Sequence, residues 1–146
     1  MDQLNPYSSP QAATLDAADN ALDSVIDALE VSDKWKEKFR AIALAGGPSL
    51  PDLKKLPRHK RRKAFSFNVL AFLFGPIYYI AKGMWKKGLA IFFIALVLIV
   101  VLGVILDYFG LGKVADLLGY AVSAVYALRA NIDYYKKMVL RDNGWI

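Results

Sequence analysis

Residues 58–106 read RHKRRKAFSFNVLAFLFGPIYYIAKGMWKKGLAIFFIALVLIVVLGVIL, and the order of charge and apolarity along this stretch decides the fold. A basic run, Arg58, His59, Lys60, Arg61, Arg62 and Lys63, leads into an apolar segment, 65–81, that Gly75 and Pro76 interrupt. A second group, Lys82, Trp85, Lys86 and Lys87, precedes Gly88–Leu106, nineteen residues without a charge. As a helix these rise roughly 28 Å, close to the ~30 Å hydrocarbon layer of a bilayer. Core helices of soluble proteins keep a polar stripe, and this one has none. The stretch predicts a membrane-spanning helix.

Segment 65–81 is a different case. Pro76 removes a backbone donor beside a glycine, which leaves two arms of about ten residues or fewer, a length that favours a re-entrant or interfacial segment over a crossing. Farther on, 114–132 (VADLLGYAVSAVYALRANI) is a second candidate span, with Asp116 near one end and Arg129 and Asn131 near the other. Charge counting arbitrates the topology. If 65–81 crosses, Lys and Arg divide eight inside to seven outside; if it dips and returns, they divide fourteen to one. The stronger bias sets orientation. The expected fold is therefore all-α: an antiparallel transmembrane hairpin, 88–106 and 114–132, preceded by a Gly-Pro-broken re-entrant or in-plane segment, with both termini cytoplasmic. Three spans with the C-terminus outside is the alternative.

Ahead of the membrane region, 1–10 is polar and turn-rich, with no basic n-region before an apolar run, and is expected to be disordered. Residues 11–47 form a cytoplasmic helix pair. Leu15, Leu22, Val25, Ile26 and Leu29 recur at helical spacing among Asp16, Asp19, Asp23 and Asp27. Ser32 is placed to cap a second helix with the stripe Trp35, Phe39 and Ile42, which Gly46-Gly47 ends. These stripes have no evident core to fill, so Trp35, Phe39 and Ile42 are expected to face a protein partner. A Pro-rich and basic linker, 48–64, follows, and 133–146 is a cytoplasmic tail.

The net charge of +6 is unevenly spread, since residues 1–31 hold six acids and no Lys or Arg. Arg58, Lys60, Arg61, Arg62, Lys63, Lys82, Lys86 and Lys87, with Trp85, are assigned to the membrane interface and its anionic headgroups. Nucleic acid is not expected, because the basic run abuts a membrane segment and lacks an aromatic platform. Small residues every fourth position (Ala115, Gly119, Ser123, Ala127), with Ala95 and Gly103 on the first span, predict close helix packing, within the hairpin or between copies in a homo-oligomer. The acidic row, which could weakly collect a divalent cation, reads as a solvated face.

With no cysteine and one histidine, the chain offers no thiolate metal site. No nucleophile–base pair, phosphate loop or dinucleotide fingerprint occurs, so no catalytic residue, metal or cofactor is assigned and an enzyme is the least expected class. Three functions stay open: a membrane-anchored interaction or structural protein, a membrane immunity or regulatory protein acting against a membrane-active toxin, and a small oligomeric transporter or channel subunit.

Three stretches carry a family resemblance: SDKWKEKF-x5-AGGP from Ser32, FNVLAFLFGPIYYIAKGMWKKG from Phe67, and the apolar helix after it. From Ser32 to Lys137 the order of features resembles domain of unknown function 2628, small bacterial inner-membrane proteins, with FGP-Y-Y-x3-GMW-K the specific part. The resemblance implies a location and an architecture, and no activity or catalytic residues.

Overall fold

The computed structural model describes residues 10–115 and 117–145, with side chains from residue 19 onward and at Ala17. The expected disorder of 1–10 falls almost wholly outside the described residues, as do the side chains of Leu15, Asp16 and Asp116. The order is α1 (Pro10–Asp27), α2 (Asp33–Leu44), a 3-10 turn (Leu53–Lys55), α3 (Arg58–Ala64), α4 (Val69–Ala81), α5 (Trp85–Tyr108), α6 (Gly112–Ala115) and α7 (Leu118–Met138). No strand occurs among the described residues.

Two stretches are long and apolar enough to cross a membrane, Arg58–Ala81 and Trp85–Tyr108. The first is not a single rod. Extended residues at 66–68 separate α3 from α4, and Asn68 restarts the helix by accepting the Ala71 N–H at 3.1 Å. Gly75 then takes φ +43° and ψ −116°, a kink at the Gly-Pro step that the sequence marks. α5 is continuous, and none of its apolar window is buried within the chain.

The expected span 114–132 is corrected by the structure. α6 ends at Ala115, α7 begins at Leu118, and α7 runs past Ile132 to Met138. It continues because Asp133, Tyr134 and Tyr135, which look like the start of a polar tail, are buried. Tyr134 lies edge-on to Trp35 at 4.7 Å between ring centroids, and Tyr135 edge-on to Phe39 at 5.8 Å. Phe39 and Ile42 are fully buried with Ile26 of α1. The stripe assigned to an outside partner is therefore covered by the chain's own α7.

Glycine sets the turns. α4 closes on Gly83 (φ +68°), whose N–H reaches Ile80 O at 2.8 Å while the Met84 N–H reaches Tyr79 O at 2.7 Å. This paired arrangement satisfies carbonyls at the helix end and needs a left-handed residue, which glycine adopts without a Cβ penalty. The reversal brings α5 against α4 at Gly88. A Cβ there would stand 2.7 Å from Tyr79 Cβ, and Tyr126 of α7 donates to Gly88 O at 2.8 Å. Gly103 and Gly119, by contrast, have open space where a Cβ would go.

Gly88→Val is expected to lower the thermal midpoint in detergent, at a cost of about 1–3 kcal/mol from overpacking. Gly103→Ala and Gly119→Ala should leave it unchanged. Equal effects at all three positions would contradict the packing described.

Candidate functional site

α7 carries polar residues into a place that α2 and α4 close over. Asn131 Oδ1 accepts from Asn68 Nδ2 at 3.0 Å and Lys38 Nζ at 3.3 Å, while Asn131 Nδ2 donates to Ser66 O at 2.6 Å. Asn68 Nδ2 also meets Tyr78 OH at 2.9 Å, across ten residues of chain. The two ends of the broken segment are thus tied to each other and to one side chain of α7. Burial holds Lys38 below the ordinary lysine value.

A second cluster lies on the same helix. Asp133 is 1% exposed; its Oδ2 accepts from Tyr79 OH at 2.9 Å and lies 3.5 Å from Arg129 Nε. Its Oδ1 is buried and has no hydrogen-bond partner. A cleft of about 230 Å³ beside it is lined by Pro48, Ser49, Arg129, Ile132, Asp133 and Lys136. One oxygen of the carboxylate is thus held by a tyrosine and an arginine, and the other is left for a donor that the described residues do not supply.

The C-terminal tail straps the base of α5. Lys87, 1% exposed, lies 3.3 Å from Asp142 O and 3.6 Å from Asp142 Oδ2. Asn143 Nδ2 reaches Gly83 O at 3.3 Å, and Trp145 stands edge-on to Trp85 at 5.7 Å. The Gly144 N–H donated to Asp142 Oδ1, with the Lys87 charge, holds the Asp142 carboxyl below its ordinary value.

The residues read from the sequence divide between these places. Arg58, Lys60, Arg61, Arg62 and Lys63 are exposed on α3, with Lys63 bonded to Glu37 at 2.6 Å. Lys82 lies over the Tyr134 ring at 4.8 Å, and Lys86 over Trp85 at 5.9 Å. Lys87 departs from the expected headgroup-facing position, since Asp142 neutralises it inside the fold. Of the small-residue stripe, Ala127 is buried, Ser123 is half-buried, and Gly119 is exposed; Ala95 lines a groove between α5 and α7. Within the chain, Gly103 and Gly119 make no close helix contact, because α7 packs chiefly on α4. On the acidic row, Asp23 and Asp27 pair with Arg40. Sequence reasoning missed Asn68, Asn131 and Asp133 as buried partners; their only signal was polarity inside apolar runs.

A family profile described as a protein of unknown function (DUF2628) matches residues 25–139, well over half of the chain. The chain belongs to this family. It is 28% identical over 122 residues to the uncharacterized protein YigF of Salmonella typhimurium, covering 79% of this chain and 90% of the relative. The uncharacterized protein YigF of Escherichia coli is 29% identical over the same length and shares. No solved structure matches. The stretch matched to DUF2628 takes in Asn68, Lys87, Asn131 and Asp133, and it stops before the strap residues Asp142 to Trp145.

Asn131→Leu should destabilise the chain by about 1–3 kcal/mol, because it strands the Ser66 carbonyl and removes one acceptor each from Asn68 and Lys38. A detergent thermal melt against Met138→Leu reads this, and an unchanged midpoint would count against the buried network. The strap responds to acid. Asp142 has a depressed carboxyl, so its contribution is complete above the ordinary carboxylate value and is lost as pH falls through the lowered one. Hydrogen exchange at 143–145 should therefore rise below about pH 4 in the native chain, and already at neutral pH in Asp142→Asn.

Proposed function

We propose that the chain is a non-enzymatic, multi-pass bacterial inner-membrane protein that presents a small cytoplasmic helical layer to a protein partner. The observation that carries this reading is α5. Its apolar side chains, among them Phe92, Phe93, Ile94, Val97 and Leu98, are exposed around most of the helix, an arrangement stable in lipid and not in water. α4 adds Leu70, Leu73, Phe74 and Ile77, also exposed. The tie between Asn68 and Tyr78 supports a segment that enters and returns on one side, which keeps both basic groups cytoplasmic.

With Phe39 covered by α7 and Ile42 buried in the same core, the partner surface moves to the cleft between α1, α2 and α3. Leu44 is exposed there, flanked by Glu37, Arg40 and Lys60. A mixed-charge rim around one apolar anchor fits a helical or extended peptide of a cytoplasmic protein better than a lipid.

Two measurements test this. The cysteine-free chain accepts single cysteines at Lys60, Tyr108 and Arg141. An impermeant thiol reagent applied from outside should label position 108 alone, and labelling at 141 would refute the topology. A photo-crosslinking residue at Leu44 should capture a protein in cells, whereas one at Tyr120 should not. Absence of an adduct at Leu44 would refute the partner surface.

A further inference from the structure

Three cavities meet at Arg129. The first is an aliphatic groove of about 310 Å³ between α5 and α7, lined from Ile91 to Leu102 on one helix and from Leu118 to Val125 on the other; Arg129 is its one charged residue. The second is the polar cleft shared with Asp133 and Lys136. The third, about 60 Å³, joins Arg129 and Asp133 to Lys87 and Ile91. Arg129 engages Asp133 through Nε, and its Nη groups meet no acceptor among the described residues. Asp133 Oδ1, buried, also lacks a partner.

The dimensions choose the occupant. From Ile91 to Leu102 the helix rises roughly 16 Å, about half of the ~30 Å hydrocarbon layer and so one leaflet. Spread over that length, the groove is roughly 8 Å from wall to wall, narrower than the 10–12 Å of a helix and wide enough for one hydrocarbon chain. A second copy of this chain cannot seat a helix in it. Charge then selects the headgroup. Arg129 and Lys136, the latter also 3.9 Å from Asp142 Oδ2, suit a phosphate, and the unpartnered Asp133 Oδ1 wants a cationic donor.

We propose that this site holds one phosphatidylethanolamine molecule from the inner leaflet. One acyl chain fills the α5–α7 groove, the phosphate meets Arg129 and Lys136, and the ammonium meets Asp133 Oδ1. A phosphatidylglycerol satisfies the cations but leaves the carboxylate facing only a hydroxyl. The site rests on the membrane reading of α5, and it is separate from the exposed basic face of α3.

The full chain, purified in detergent and incubated with phosphatidylethanolamine or phosphatidylglycerol, should carry one phosphatidylethanolamine per chain by native mass spectrometry. Phosphatidylglycerol should be retained less. Arg129→Gln and Lys136→Gln should each cut occupancy about tenfold, the worth of one charge-assisted contact. Ala121→Phe, which fills the groove and leaves the charges alone, should abolish it, and Lys113→Gln should not change it. Circular dichroism confirms folding, and should Arg129→Gln unfold, Ala121→Phe carries the test. Full occupancy in Ala121→Phe, a preference for phosphatidylglycerol, or a lipid-free dimer overturns the site. A chain that stays in carbonate-washed membranes yet binds no phosphatidylethanolamine overturns the lipid site alone. A chain released by the wash overturns the membrane reading with it.

Discussion

A buried asparagine must find partners for both ends of its amide, and at Asn131 that requirement organises the chain. Its acceptor takes Asn68 and Lys38, and its donor takes Ser66. These three come from the restart of α4, from α2 and from the extended step between α3 and α4. Leaving any one out costs about 1–3 kcal/mol of unmet hydrogen bonding in a dry place. α2 and the broken segment are thus fixed to α7 by one side chain, and the Phe39–Tyr135 and Tyr79–Tyr126 aromatic contacts pack α2 and α4 on the same helix.

Much of the frame was legible in the sequence because it rests on local physics. α5 follows from unbroken apolarity, the end of α2 from Gly46-Gly47, and the kink in α4 from Gly75-Pro76. The buried face of α2 was legible too, as Phe39 and Ile42 at helical spacing. What covered that face was not. The tyrosines that bury it lie over ninety residues away, and no local pattern encodes a pairing at that distance. Asn131 and Asp133 misled for a related reason. Read by polarity they mark the end of a span, but their hydrogen bonds to Asn68 and Tyr79 make them interior.

Lys87 shows where charge counting and structure address different things. Counted along the chain it belongs to a basic flank, and its bond to Asp142 removes it from any headgroup surface. The topological expectation does not depend on that bond, because acids contribute little to the charge bias on which it rests. The binding argument does not survive for this residue. Exposed α3 and the half-exposed Lys82 and Lys86 carry what remains of it.

The small-residue stripe carries the same lesson in volume. Ala, Gly and Ser at every fourth position permit close helix approach, yet approach also needs something to pull the helices together. Here the strongest contacts available to α7 lie with α4, near Gly88 and Tyr126. α5 is held there at its base and diverges from α7 above. Higher up, Ala95 and Ala121 leave space instead of filling it. Small side chains therefore create a seam at one end of α7 and a groove at the other. The difference is set by where Tyr79, Gly88 and Tyr126 pin the crossing, which is why the groove opens away from that crossing and ends on Arg129.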